Sequence, residues 1–276
     1  MTLSERNAFF KAGIVFCSVI TLLTILASLL TMPVYPLTEE NSRRPMNFFR
    51  ILTGWFLENN YYAVHVSLIL AVLFSLIGIF LIHSFFERTS APEIIYISFF
   101  TISFSFEIIR LILPLHLIYI FPSFYILIAF RLLLFARFFG LFSLFTASVC
   151  AAGLEAQKTR NIIMILTIAV VVVVYAVPID IHSWDTGLNM IIGYSSFFRM
   201  IEGIVLIITS VTFFAAAKVR GSREYIFAGI GVALALTGRN MLLGTDSWAG
   251  TVAGIIFLSF GTWLICSKLH KIHLWL

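Results

Sequence analysis

Seven ionisable side chains lie inside long apolar stretches of this sequence, and their types could hold an anion. They are Glu107, Arg110, Arg131, Arg137, Arg199, Glu202 and Arg239. Each charge costs at least about 2.5–3.5 kcal/mol at the centre of a bilayer, so each is expected to face a bundle interior, a partner or water. A buried guanidinium stays ionised and binds carboxylate or phosphate with two parallel hydrogen bonds. The arginines therefore indicate recognition of an anion.

Six of these residues lie at a similar depth, although they belong to four different apolar stretches. They are Glu107, Arg110, Arg131, Arg199, Glu202 and Arg239. At about 1.5 Å per residue, they lie about 6–18 Å from the outer edge of their predicted spans. Four arginines and two glutamates leave a surplus of two positive charges. The sequence thus predicts a cavity in the outer half of the membrane that binds an anionic small molecule or a lipid head group.

The residues of this layer have different expected roles. The predicted ligand-binding arginines and their amide neighbour are Arg110, Arg131, Arg199, Arg239 and Asn240. Glu107 and Glu202 each lie three residues from an arginine on the same helix face, so they are predicted to orient the guanidinium groups. Arg137 is predicted to lie outside the layer, because six residues turn a helix by about 600° away from the face of Arg131.

A second interpretation gives the same charges a structural role. Asp180 and Asp185 in a neighbouring loop, Asn240, or backbone carbonyls could satisfy the arginines and leave no surplus. The ion pairs would then fix helix order in an assembly subunit of a membrane complex.

The elements that must position these residues are membrane-spanning helices. The chain is 61% hydrophobic and 11% charged, whereas a soluble domain carries roughly 25% charged residues. The apolar runs are long enough to cross about 30 Å of hydrocarbon as helices. We expect an all-α polytopic protein, a single domain over residues 1–276, with eight spans, or seven if the first is cleaved. The predicted spans are 12–32, 61–83, 94–115, 122–150, 161–177, 190–217, 225–243 and 249–267.

The distribution of Lys and Arg predicts the orientation of these spans. One set of alternate loops and both termini carry the basic residues Arg6, Lys11, Arg88, Lys158, Arg160, Lys218, Arg220, Arg223, Lys268 and Lys271. The opposite side carries only Arg43, Arg44 and Arg50. Cytoplasmic loops hold the excess of basic residues. We therefore predict a multi-pass protein of the cytoplasmic (inner) membrane with both termini in the cytoplasm.

The first outer loop, residues 33–60, is the only long connection between the predicted spans. Residues 46–57 are rich in aromatic side chains at helical spacing, and Trp55 suits a membrane interface, so we predict a short interfacial helix there. A lid over the cavity is the alternative role for this segment. Glu39 or Glu40 could also serve as the base of a lipid-phosphate-linked transferase.

Other chemistry has little support in the sequence. No HExxH, GxSxG or nucleotide-binding loop is present, and Cys17, Cys150 and Cys266 lack metal-binding spacing. We predict no metal, no cofactor, no nucleic-acid partner and no catalytic residue. The leading hypothesis is a non-enzymatic binding, sensing or transport-type subunit that contacts membrane lipids and passes its signal to a membrane or cytoplasmic protein.

Overall fold

The computed structural model describes residues 3–32, 56–87, 91–119, 121–153, 159–244 and 246–274. Eight helices in these residues are long and apolar enough to cross a membrane. They are α1 (Leu3–Thr31), α2 (Tyr61–Phe86), α3 (Glu93–Tyr119), α4 (Ser123–Ala152), α5 (Thr159–Ala176), α6 (Ser195–Arg220), α7 (Glu224–Gly244) and α8 (Trp248–Leu274). The predicted class, an all-α multi-pass membrane protein, is confirmed at this level.

Consecutive helices run antiparallel, so the bundle has two distinct ends. At the terminal end, the start of α1 meets the end of α2, where Arg6 donates a 2.6 Å hydrogen bond to the Phe86 carbonyl. At the opposite end, Tyr61 at the start of α2 donates to the Thr31 carbonyl at the end of α1. A β-hairpin lies at this second end, which is called the hairpin end below.

Small residues bring several helices into backbone contact. A methyl group added to Gly254 of α8 would lie 2.7 Å from the Leu242 nitrogen of α7, and one added to Gly231 would lie 2.9 Å from the Gly261 carbonyl oxygen. Close approach of this kind drives helix association in lipid, where no hydrophobic gain is available. These glycines of α7 and α8 therefore pack against helices of the same chain.

Helix α3 changes its winding in the middle. It is α-helical over Glu93–Ser103, adopts a 3₁₀ helix over Phe104–Leu111, and returns to α-helix over Ile112–Tyr119. The Ser103 and Ser105 hydroxyls donate to the carbonyls of residues three positions earlier, at the start of the 3₁₀ segment. A 3₁₀ run of eight residues is unusually long, and the sequence-based prediction had no such feature.

The hairpin is the second unpredicted feature. Strand β1 (Ile179–Trp184) pairs antiparallel with β2 (Met190–Ile192), with Ile179 opposite Ile192. Gly193 donates to the Pro178 carbonyl at 2.9 Å, which closes the base of the hairpin. The predicted sixth span therefore begins too early at residue 190, because residues 190–192 form a strand before α6 begins at Ser195.

Two further differences concern the first span and the first loop. Helix α1 begins at Leu3, nine residues before the predicted start at 12, and its polar first turns pack at the terminal end. The predicted interfacial helix at 46–57 falls mostly outside the described residues, which include only Phe56 and Leu57 of that segment in helical conformation.

Candidate functional site

The 3₁₀ segment of α3 places Glu107 directly beneath Arg110. A 3₁₀ helix has three residues per turn, so side chains three positions apart eclipse each other. The two side chains are each 1% exposed, and Arg110 Nη1 lies 3.7 Å from Glu107 Oε2. The predicted local pair is therefore present, but it is buried inside the bundle.

Arg137 of α4 is the main partner of Glu107. Arg137 Nε donates to Glu107 Oε1 at 2.8 Å, and Nη2 donates to Oε2 at 2.6 Å. This two-pronged geometry is the strongest ion pair that a guanidinium makes. The expectation that Arg137 lies outside the charged layer is wrong, because the face of α4 that packs on α3 is the face that carries Arg137.

The packing of Gly140 explains this orientation. A methyl group on Gly140 would lie 2.8 Å from Ser103 Cβ, so α3 and α4 touch there. Arg137 lies one turn from Gly140 on the same stripe. The other members of the stripe, all buried, are Leu133, Leu144, Ala147 and Ala151. This stripe of small and apolar residues is a sequence signal that identifies Arg137 as inward-facing.

Arg131 lies apart from the cluster. Its guanidinium lies over the ring of Tyr175 in α5, 4.9 Å from the ring centroid. Arg131 is not among the residues that line the cavity described below. The structure thus separates Arg131 from the other predicted ligand-binding arginines.

The hairpin loop inserts between the helices and meets the buried arginines. The Gly187 carbonyl accepts a hydrogen bond from Arg110 Nη2, and Asn189 Oδ1 accepts one from Arg137 Nη2 at 2.9 Å. Leu188 is buried between these two contacts, with a left-handed φ of 57° that is rare for leucine. Backbone polar groups that are buried among helices need partners inside the protein, and the arginines supply them.

Arg239 of α7 connects two other helices. It donates to Glu202 Oε1 of α6 at 3.3 Å and to the Arg137 carbonyl of α4 at 3.4 Å. It also donates to Asn240 Oδ1 at 3.1 Å. Glu202 therefore pairs with Arg239 rather than with Arg199, its predicted neighbour on the same helix.

Arg199 is the remaining predicted arginine. It lies on α6 one turn from Glu202, is exposed, and makes no hydrogen bond or ion pair with any of the residues that the structure describes. Its guanidinium is thus available to a ligand, whereas those of Arg137 and Arg239 are partly engaged.

These side chains surround an open cavity of about 630 Å³ at the hairpin end. Its lining comes from α4, β2, the hairpin loop, α6 and α7. The polar lining residues are Arg137, Asp185, Asn189, Ser195, Arg199, Glu202, Arg239 and Asn240. The apolar lining residues are Leu134, Phe138, Met190, Ile191, Ile192, Phe198 and Leu243. The lining therefore combines charged and hydrophobic side chains.

The charges in the wall nearly cancel. Three arginines and two carboxylates line the cavity, so the formal surplus is one positive charge rather than the predicted two. Arg131 is absent from the lining, and Asp185 of the loop joins it. Behind the wall, Glu107 offsets Arg110, and the Asp246 carboxylate accepts a hydrogen bond from Thr186. Counting Asp246 brings the whole cluster to zero.

The residues of the predicted transferase alternative cannot be placed relative to this cavity. Glu39 and Glu40 lie outside the described residues. Among the residues that are described, no three His, Cys, Asp or Glu side chains are grouped as a metal site would require. Comparison of the chain with protein-family models, with curated proteins and with solved structures found no match. Function must therefore be inferred from the cavity.

Proposed function

We propose that this protein binds an anionic ligand in the cavity between α4, α6, α7 and the hairpin. The observation that carries the proposal is Arg199, a guanidinium at the cavity mouth without a partner among the described residues. A guanidinium without a partner is stabilised when it meets an anion. The ligand is a carboxylate or phosphate compound, and the protein acts as a binding, sensing or transport-type subunit.

The other side chains support Arg199 in different ways. Arg239 lies on the cavity floor and is 3.3 Å from Glu202, a long pair that an anion could share. Asn240 offers its amide at the mouth. Glu107 and Arg110 lie behind the wall and hold Arg137 and the hairpin loop in place. In this proposal Arg137, and not the predicted Arg131, is the arginine of α4 that lines the cavity.

Native mass spectrometry of the purified protein tests the proposal. The wild-type protein is expected to retain a small anionic molecule after release from detergent, and Arg199→Gln is expected to lose it. Arg131→Gln is the matched control, because Arg131 lies outside the cavity lining and should leave retention unchanged. Equal retention in all three proteins, or no bound species in any, would contradict the proposal.

A structural role is the second candidate, and the balanced charges favour it. The charges of four arginines and four carboxylates balance when Asp185 and Asp246 are included, and all of these arginines except Arg199 contact partners among the described residues. Such a cluster could fix helix order or mate with another membrane protein, with no ligand. In that case Arg199→Gln would release a copurifying protein partner rather than a small molecule. The transferase alternative depends on Glu39 or Glu40 and stays a less favoured proposal.

We also propose that α1 is retained and that the terminal end faces the cytoplasm. Arg6 and Asn7 of α1 donate to the last carbonyls of α2, which suits a helix that belongs to the bundle. Most basic residues lie at the terminal end, as expected for a cytoplasmic side. The cavity would then open in the outer half of the inner membrane.

A further inference from the structure

Helices α6 and α7 pack backbone to side chain toward the terminal end of the bundle, whereas at the level of the cavity the Glu202–Arg239 ion pair joins them at 3.3 Å. A methyl group on Gly229 of α7 would lie 2.9 Å from Phe214 Cε1 and 3.2 Å from Phe213 Cβ. These close distances show that the two helices touch at this level. The cavity lies farther along the same pair of helices, toward the hairpin end.

The same faces separate at the level of the cavity. Gly203 lies eleven residues before Phe214, and Asn240 lies eleven residues after Gly229, so each is about three turns along the same helix face. Two straight antiparallel helices would therefore bring Gly203 against Asn240. Instead, no atom lies within 4 Å of a methyl group built on Gly203, and Asn240 is exposed. This leaves open space beside the Glu202–Arg239 pair, which is the gap between α6 and α7 considered below.

The surfaces beside this gap are apolar. On α6 the outward side chains next to the gap are exposed, including Met200, Ile204 and Ile207. Inside the cavity, Phe138, Phe198 and Leu243 contribute apolar surface to the lining. An ion approaching from water gains nothing from these surfaces, whereas an aliphatic chain packs against them.

The charge count limits the head group. The lining carries a surplus of one positive charge, and Arg199 is the guanidinium without a partner among the described residues. Because the wider cluster with Asp246 sums to zero, a head group with a single negative charge, such as a carboxylate or a phosphodiester, suits Arg199 better than one with two.

We propose that the ligand is an acidic membrane lipid that enters sideways between α6 and α7, with its monoanionic head group on Arg199 and Arg239 and its chain along α6. This inference rests on the proposed function, because it requires that the arginine cavity bind an anion. It adds the class of ligand and the route by which the ligand arrives.

The test compares a lipid with its water-soluble head group. The full-length protein is purified, delipidated and mixed with dioleoylphosphatidylglycerol and dioleoylphosphatidylcholine in equal amounts, and bound lipid is measured by native mass spectrometry. Glycerol 3-phosphate is added as competitor in a second series. The wild-type protein is expected to select the acidic lipid, and a hundred-fold excess of glycerol 3-phosphate is expected not to displace it.

Two kinds of variant separate the head-group site from the entry gap. Arg199→Gln is expected to weaken retention of the acidic lipid at least about ten-fold, as loss of a charged hydrogen bond predicts. Gly203→Trp fills the gap and is expected to weaken retention similarly. Ile208→Trp is the matched control, because Ile208 is exposed on the same helix but lies about 140° around it from the face of Gly203. If Gly203→Trp fails to fold, Gly244→Phe is used instead. Gly244 lines the cavity at the end of α7, and no atom lies within 4 Å of a methyl group built on it, so the added ring narrows the cavity there.

The outcomes distinguish this inference from the proposed function. If glycerol 3-phosphate binds in an Arg199-dependent manner and the gap variants change nothing, sideways lipid entry is wrong and anion binding stands. If acidic and neutral lipids bind equally and neither binding nor competition depends on Arg199, both proposals fail.

Discussion

Arg137 joins three parts of the cavity wall through one side chain and its own carbonyl. The guanidinium binds Glu107 of α3 and Asn189 of the hairpin loop, and the carbonyl accepts a hydrogen bond from Arg239 of α7. Glu107 is 1% exposed, so its charge has no access to water once Arg137 is removed. The pair is therefore more important for keeping the site folded than for the net charge of the cavity.

Replacing Arg137 with leucine is expected to destabilise the protein by about 3–5 kcal/mol, because it removes both short hydrogen bonds to the buried Glu107 carboxylate and leaves only Arg110 at 3.7 Å. Denaturant titration in mild detergent measures the free energy of unfolding. Arg131→Leu, on the same helix, is the control and is expected to cost less than about 1 kcal/mol. An equal decrease in the free energy of unfolding of the two variants would show that the Glu107–Arg137 pair contributes no more to stability than Arg131 does.

A double variant checks that the effect comes from the pair. Glu107→Gln alone leaves two arginines without their carboxylate and is expected to destabilise the protein. Combined with Arg137→Leu, it should cost less than the sum of the single changes, by about 0.5–3 kcal/mol, as for residues in direct contact. Simple additivity would contradict the observed geometry.

The choice between Arg131 and Arg137 shows what the sequence could predict at this scale. The charged residues themselves, and the contribution of Glu107, Glu202 and Arg239 to one cluster, follow from their depth in apolar spans. The rotation of α4 about its own axis does not follow from the depth of its charged residues. It depends on which face of α4 meets α3, and the contact at Gly140 decides this.

At the scale of elements, the contact between α7 and α8 depends on glycines that leave no room for a methyl group. A Cβ on Gly238 would lie 2.7 Å from the Gly254 carbonyl oxygen and 2.8 Å from the Phe257 carbonyl carbon. Gly238→Ala is expected to cost about 1–3 kcal/mol, because backbone cannot yield to the added group.

Gly203→Ala is the control for this prediction. It adds the same methyl group where no atom lies within 4 Å, so it should be neutral or stabilise by up to about 1 kcal/mol through higher helix propensity. Thermal unfolding in detergent measures both variants. A stable Gly238→Ala protein would mean that α7 and α8 can move apart at little cost.

The hairpin loop provides the second prediction at this scale. A methyl group on Gly187 would lie 2.7 Å from Asp246 Oδ1 and 3.2 Å from Arg110 Nη2. Gly187→Ala is expected to push the loop away from Arg110 and widen the cavity. Hydrogen–deuterium exchange should then increase over residues 185–189 and leave the α7–α8 contact unchanged. Unchanged exchange in the loop would contradict the close packing around Gly187.

The elements were predictable where hydrophobicity alone determines them. Eight apolar runs gave eight helices, because backbone in lipid has few other ways to satisfy its hydrogen bonds. The 3₁₀ segment and the hairpin were not predictable in this way. Both depend on local polar contacts, such as the Ser103 hydroxyl and the carbonyl of Gly187, which hydropathy does not report.

At the scale of the whole molecule, the basic residues at the terminal end predict that both termini face the cytoplasm. Alkaline phosphatase, which is active only outside the cytoplasm, should be inactive when fused after Leu276 or after Ala152, and active when fused after Pro122 at the hairpin end. Green fluorescent protein at the same sites should give the opposite pattern. Active phosphatase at Leu276 would place the arginine cavity in the cytoplasmic half of the membrane and direct the search for its lipid to the inner leaflet. The intact mass of the full-length protein tests retention of α1 independently, because cleavage would remove Arg6 and its hydrogen bond to the end of α2.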